Sequence, residues 1–339
     1  MKINNLVMRM GFNKYIGDFS SYENLICFYN TSVSSLNVGD EIINASGLEQ
    51  LSHVFEFKQF YHMSTHAGTK SIGIHHANLC KERIVCGSNL LCDTMFRSAN
   101  WELSPLDIIK MRTVILMGVG WNKYGAQTSK TTAFFYRKLL ADGNTMHSVR
   151  DDYTKAKLSS IGVNNVLNTG CPTMWKLNEE HCASIKKNKS DKVVFTLTDY
   201  DKDLKNDSLL VEILLQSYDQ VYFWPQGSGD LEYFNQMNFS NIEIIPPRLK
   251  EYDELLKKGD IDFVGTRLHG GIRALQFGCR ALIVAFDNRA IEKSKDFNLP
   301  IIHRDRIAEE LKSKLKENST IDIKINEKEI EQWKHQFIK

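Results

Sequence analysis

The chain has 339 residues, 42% of them hydrophobic and 25% charged, with a formal net charge of +2. That length predicts two domains of roughly 150 residues rather than one core. The composition excludes a disordered chain, and the near-neutral balance gives no reason to expect nucleic acid as a partner.

In chain order, Met1 to Met10 carries too many polar residues for a secretory h-region. Asn24 to Tyr29 reads as a buried strand, and Asn37-Val-Gly-Asp40 as a turn with an acid just ahead of a helix. Arg83 to Cys86 and Thr113 to Met117 are short strands, each running into a small-residue turn: Gly87-Ser88-Asn89 and Gly118-Val-Gly120. Thr131 to Asp142 has helical spacing of Phe134, Phe135, Leu139 and Leu140. His147 to Arg150 is a strand, and Asp151 to Ile161 a helix stopped by Gly162. A lysine-rich segment, 185–192, reads as a linker, after which the pattern restarts. Strands are predicted at Val193–Thr198, Val221–Trp224, Ile242–Ile245, Asp262–Gly265 and Ala281–Phe286, with a helix over Leu209–Tyr218. After Pro300 the chain reads as charged and helical, and Glu327–Phe337 puts Ile330, Trp333 and Phe337 near one face that docks on a domain. The expected organisation is α/β: a domain over 1–184, the linker, a domain over 193–322 and a docking helix over 323–339. The seven cysteines (27, 80, 86, 92, 171, 182, 279) are scattered and read as buried reduced thiols. No apolar run approaches the about 20 residues needed to span a bilayer, so a cytoplasmic protein is expected.

The most informative stretch is Asp262-Phe-Val-Gly-Thr-Arg267-Leu268-His269-Gly270, a strand, a turn and a helix start. Unpaired N–H groups at a helix N-terminus suit an anion, and an arginine adds a planar fork for phosphate or carboxylate. The alternative is a structural cluster in which histidine satisfies a nearby carbonyl. Asn37, Gly39 and Asp40 can cap a helix, contact a ligand, or do both. The turns at 87–89 and 118–120 allow close backbone approach to a ligand but match no complete dinucleotide or Walker fingerprint. Arg150-Asp151 reads either as a second strand-end arginine site or as a surface ion pair of little worth. Trp224-Pro-Gln226-Gly-Ser-Gly-Asp230 can stack and hydrogen-bond a sugar, or be a plain loop. His62 and His66 have helical spacing without the glutamate of a zinc motif, and no Cys-x-x-Cys pair occurs; no metal site is expected.

Taken together, Thr266-Arg-Leu-His269 with Ile272, Ala274, Gly278 and the strand to Asp287, the Asn37–Asp40 turn, the two glycine turns, Ser148–Asp151 and Leu158–Val166 resemble the polysaccharide pyruvyl transferase family. The resemblance runs from about residue 24 to about 290. It implies two Rossmann-like domains facing across a cleft, as in GT-B glycosyltransferases, and pyruvate transfer from phosphoenolpyruvate to two sugar hydroxyls as a cyclic ketal. It further implies His269 as general acid, with Asp40 or Asp230 acting on the acceptor hydroxyl. The donor would be held by Arg267, Leu268 and Gly270, with Arg150 from the facing domain and Arg289. Acceptor or loop contacts would come from Asn37, Gly39, Gly87, Ser88, Asn89, Gly118, Gly120, Trp224, Gln226 and Asp230. Phosphoenolpyruvate is then a co-substrate and no cofactor is needed. A lipid-linked sugar acceptor would leave open a peripheral contact with the inner face of the membrane, through lysines and the Trp333–Phe337 face. The rival readings are a GT-B glycosyltransferase using a nucleotide sugar, with Asp287 or Glu292 on its ribose, and a non-catalytic scaffold of polysaccharide assembly.

Overall fold

A computed structural model describes residues 22–98, 100–123, 125–140, 143–318 and 320–338. The segment read as too polar for a secretory signal therefore lies outside the described residues. The chain divides into two compact units: the first holds residues up to Ser34, Gly47–Pro172 and Lys328–Lys339, the second Ser35–Ser46 and Thr173–Glu327.

In the first unit, the strands are β1 (Leu25–Asn30), β2 (Gln59–Ser64), β3 (Glu82–Cys86), β4 (Ile115–Met117), β5 (His147–Val149) and β6 (Val166–Asn168). The helices are α1 (Gly39–Val54), α2 (Ser71–Leu79), α3 (Met95–Ser98), α4 (Pro105–Lys110), α5 (Lys130–Leu140) and α6 (Asp152–Ser160). The strands pair in parallel in the order β2-β1-β3-β4, and the parallel β5-β6 pair joins β4 through a Val119–Val149 bridge. Strand β1 is an almost unbroken apolar run buried from Ile26 onward, as a central parallel strand covered on both faces must be. Helix α6 starts on the Asp151 side chain, which accepts the Thr154 N–H. It ends at Gly162, whose φ of +86° lets the chain turn back so that Val163 N–H reaches the Leu158 carbonyl.

The second unit contains α7 (Glu179–Ser184), β7 (Lys192–Thr196), α8 (Leu204–Ser217), β8 (Gln220–Phe223), α9 (Asp230–Asn235), β9 (Glu243–Ile244), α10 (Leu249–Leu256), β10 (Ile261–Gly265), α11 (Leu268–Gln276), β11 (Ala281–Ala285), α12 (Asn288–Phe297), β12 (Ile301–His303) and α13 (Lys312–Lys316). Its parallel sheet has the order β12-β11-β10-β7-β8-β9. That is the doubly wound Rossmann order, with its switch point between β7 and β10.

Four expectations are corrected. The boundary between the units falls at 172/173 rather than at 185–192, so the lysine-rich segment is a connection inside the second unit, between α7 and β7. Residues 35–46, the first turns of α1 included, belong with the second unit. The chain after Pro300 is not all helical: β12 extends the sheet, and residues 320–326 are non-helical. Finally, α14 (Glu327–His335) docks on the first unit as packing rather than as a membrane face. Trp333 is fully buried, and Phe337 lies against Trp333 and Phe55 at ring separations of 5.0 and 5.1 Å. All seven cysteines are buried free thiols.

Candidate active site

In the second unit, the predicted residues converge at the carboxyl ends of β7, β8 and β10. Arg267 precedes α11, and its side chain is almost wholly buried. Its Nε donates to Asp230 Oδ2 at 2.9 Å and to the Leu197 carbonyl at 3.1 Å, while Nη2 donates to Asp199 Oδ1 at 2.8 Å and to Asp230 Oδ1. Nη1 makes no hydrogen bond among the described residues. Arg267 is therefore an oriented fork with one end unengaged by the described residues.

Asp230 is the anchor. Its two oxygens also accept the backbone N–H groups of Asp199, Gln226 and Gly227 at 3.1, 3.0 and 2.7 Å. Burial pushes its pKa up, and the Arg267 guanidinium opposes the rise. With every lone pair engaged and no solvent exposure, Asp230 is not placed to activate an acceptor hydroxyl, which corrects that expectation. The loop 224–230 wraps the arginine instead of presenting a sugar platform. A Cβ at Gly227 would overlap Arg267 Nη2, and one at Gly229 would overlap Asp199 Oδ2. Trp224 is fully buried and stacked on Tyr252, centroids 3.8 Å apart and planes 3° from parallel, so it cannot stack on a sugar.

Gln226 links this cluster to the Asn37–Asp40 turn. Its Nε2 donates to Asn37 Oδ1 at 2.9 Å, and its carbonyl accepts the Val38 N–H at 2.9 Å. Asn37 Oδ1 also accepts the Gly39 N–H at 3.0 Å, and a Cβ at Gly39 would press on Gln226 Nε2 at 2.6 Å. Asp40 lies in the first turn of α1, buried, and accepts the Ser35 hydroxyl at 2.6 Å. Gln226 Oε1 is buried without a hydrogen-bond partner among the described residues and would lie 3.1 Å from a Cβ placed on Gly270. Gly270 is therefore a packing requirement, its carbonyl accepting the Tyr252 hydroxyl at 2.8 Å. Leu268 points into the core, so only its backbone N–H remains for a ligand. His269 occupies the first turn of α11 and is half-buried. Arg289 lies in α12, but its side chain is outside the described residues.

Sequence reasoning missed Asp199, whose carboxyl is 26% exposed while Asp230 is sealed. The signal was present, because Asp199 comes soon after a strand run, as Arg267 does. Missed too were Tyr200, whose ring lies 5.2 Å from the Arg267 guanidinium, and the Thr198–Thr266 hydroxyl pair at 2.8 Å.

In the first unit, the remaining predicted residues gather around Arg150. Its Nε meets Asp151 Oδ2 at 2.8 Å, Nη2 the Trp121 carbonyl at 3.3 Å, and Nη1 the Asn89 side chain. The pair is buried, not the surface ion pair that was one reading. Gly87 and Ser88 both take positive φ, 62° and 60°, and the Ser88 carbonyl accepts the Gly120 N–H at 2.9 Å. A Cβ at Gly120 would overlap the Arg150 guanidinium, and one at Gly118 would overlap Pro172. Gly118 and Gly120 therefore serve packing. His62 lies on β2 and His66 beyond its end, so the two do not share a helix face. No group of three or more His, Cys, Asp or Glu able to hold a metal occurs among the described residues.

Two parallel Rossmann-like units with strand-end sites place the chain in the GT-B class. Solved structures agree: UDP-GlcNAc 2-epimerase of Methanocaldococcus jannaschii, solved with UDP-GlcNAc and UDP, matches with a TM-score of 0.50 at 11% identity, covering 91% of this chain and 97% of that one. A UDP-N-acetylglucosamine 2-epimerase described as such only provisionally, from Listeria monocytogenes, matches at 0.51 and 11% identity, covering 92% and 95%. At such identity the likeness concerns the fold alone. No curated protein matches. Residues 37–288 match the polysaccharide pyruvyl transferase family, and the chain belongs to it.

Proposed function

We propose that the protein transfers pyruvate from phosphoenolpyruvate to two hydroxyls of a sugar in a cell-surface polysaccharide or its precursor. The observation that carries this reading is the Arg267–His269 turn at the carboxyl end of β10. There a locked guanidinium keeps Nη1 without a hydrogen-bond partner among the described residues, and a half-buried imidazole sits in the first helical turn. Nη1 and the backbone N–H groups opening α11 suit the phosphate or carboxylate of the donor.

His269 is the proton donor in this scheme, since imidazole titrates near neutrality. It protonates the methylene carbon of phosphoenolpyruvate, and the neighbouring carbon becomes electrophilic. A sugar hydroxyl adds there and returns a proton to the imidazole. The C–O bond to phosphate breaks, a second hydroxyl closes the ketal, and its proton leaves with inorganic phosphate. Asp199, partly exposed beside Arg267, is the carboxylate offered to the hydroxyls.

The test is a thermal-shift titration with phosphoenolpyruvate beside UDP-galactose, UDP-glucose and UDP-N-acetylglucosamine, followed by phosphate release in the presence of sugar acceptors. A ligand that binds only the folded state raises Tm with concentration. Phosphoenolpyruvate is expected to stabilise the wild type and His269→Gln alike, with phosphate release lost in the variant. Stabilisation by a UDP-sugar alone would replace this reading with a nucleotide-sugar glycosyltransferase.

A further inference from the structure

One face of the first unit departs from the rule that helices turn apolar residues inward. Phe96 is 41% exposed, Leu106 67%, Ile109 60% and Phe134 59%, and they lie on α3, α4 and α5. These helices are neighbours. Helix α4 contacts α5, and the Met95 N–H donates to Thr132 Oγ1 at 3.0 Å, seating α3 on the start of α5. Phe135 joins Phe96 to Phe134, its ring 5.1 Å from the first and 5.2 Å from the second. Singly exposed apolar residues need no explanation, but aromatic and aliphatic side chains gathered on adjacent helices do.

The charge around the patch is one-sided. Arg97, Lys110, Arg112, Lys130, Arg137 and Lys138 are exposed on or beside the same helices, and none is in an ion pair among the described residues. On α5, Lys130, Phe134 and Lys138 follow at intervals of four, which sets an aromatic ring between two ammonium groups on one stripe. The described parts of α3, α4 and α5 contain one carboxylate, Asp107, and it is occupied by the Ser104 N–H and hydroxyl at 2.9 and 2.7 Å. Among the described residues, Glu102 is the exposed acid nearest in sequence.

We propose that this face docks on an anionic bilayer surface, the apolar side chains entering the headgroup boundary and the cations pairing with lipid phosphates. Apolar insertion combined with a basic fringe is the chemistry by which a protein lies on a membrane without crossing it. No helix among the described residues is long and apolar enough to cross one. A protein partner of ordinary composition would not require so one-sided a fringe. The proposal does not depend on the reaction proposed above.

The test is co-sedimentation of the full chain with vesicles of phosphatidylcholine alone and of phosphatidylcholine with phosphatidylglycerol at 70:30, in low salt and in 0.5 M salt. The expected result is at least tenfold stronger partitioning onto the anionic vesicles, reduced by salt. Leu106→Ser with Phe134→Ser, and separately Lys130→Glu with Lys138→Glu, should each lower it tenfold or more without changing Tm. Phe57→Ser, at an 86% exposed site outside these helices, should leave it unchanged. Equal partitioning onto neutral vesicles, or binding that survives the paired substitutions, overturns the proposal. So does a concentration-dependent dimer in sedimentation equilibrium that Leu106→Ser with Phe134→Ser dissolves, since the face would then belong to a second copy.

Discussion

Replacing Asp151 with asparagine isolates what holds Arg150. The side chains of Arg150 and Asp151 are 7% and 2% exposed, and Asp151 is the only acid paired with Arg150 among the described residues. Its other acceptors, Asn89 and the Trp121 carbonyl, are neutral. Asp151 also caps α6, with Oδ1 accepting the Thr154 N–H at 2.7 Å and hydroxyl at 2.6 Å. Asparagine caps a helix about as well as aspartate. Asp151→Asn therefore keeps Oδ1 on Thr154 and turns an NH2 donor toward the Arg150 Nε, leaving a buried cation facing a donor.

Breaking one side of a buried pair costs about 3–5 kcal/mol. At about 2–4 °C per kcal/mol for a unit of this size, Tm should fall by about 10 °C. The sign with pH follows from the carboxyl. Burial pushes its pKa up, but the Arg150 charge and the Thr154 hydrogen bonds outweigh burial and bring it below the ordinary value of 3.8. Its stabilisation is thus fully present above the unfolded pKa and is lost as pH falls through the folded one. Urea midpoints of wild type and variant should differ most near neutrality and converge in acid. A loss under about 1 kcal/mol at pH 7.5, or a gap that stays constant into acid, would refute this account. Glu254→Gln is the control: it opens the exposed Lys250–Glu254 pair, 3.9 Å long, and should cost no more than about 0.5 kcal/mol.

Gly120→Ala forces a methyl into the Arg150 guanidinium and should cost about 1–3 kcal/mol by overpacking; combined with Arg150→Ala, the two losses should be clearly less than additive in urea denaturation. Trp224→Ala should cost about 3–5 kcal/mol, because it empties a buried site against Tyr252, and the loss should appear in thermal denaturation with no sugar present. Asp207 is buried, with one oxygen accepting the Tyr233 hydroxyl at 2.7 Å and the other without a hydrogen-bond partner among the described residues, and burial raises its pKa. A raised carboxyl pKa means the folded state holds its proton longer, so stability falls as pH climbs from the unfolded value through the folded one. Asp207→Asn should match wild type in acid and gain on it as pH rises toward 7, measured as the difference in urea midpoint.

The parallel sheets were legible in the sequence because buried parallel strands leave short apolar runs ending in small-residue turns. That rule located β1, β3, β4, β5, β7, β8, β10 and β11, and β9 reads as a strand as well. It passed over β2, where polar Gln59, His62 and Ser64 interrupt the run, and β12, only three residues long. The assignment of residues 35–46 to the second unit is a matter of long-range contact that no local pattern records. At the site, the types of residue were readable and their partners were not. Arg267 declares a guanidinium at a strand end. That Asp230, 37 positions earlier, would meet it through a glycine loop is visible only once β8 and β10 lie in one sheet.

That pairing changes what each arginine can do. A guanidinium already neutralised by carboxylates attracts an anion weakly through charge, so its worth to a ligand lies in where its remaining N–H groups point. All three nitrogens of Arg150 have partners, and a ligand reaching it must first displace Asn89, the Trp121 carbonyl or Asp151. Among the described residues, Arg267 is held on Nε and Nη2 only, with Asp230 fixed in turn by three backbone N–H groups. Its Nη1 can meet an anion without breaking any protein contact and without the entropy of ordering a free side chain. Of Arg267 and Arg150, Arg267 is therefore the one whose remaining N–H groups are prepared for an anion, and Arg150 is the one that stabilises its own unit.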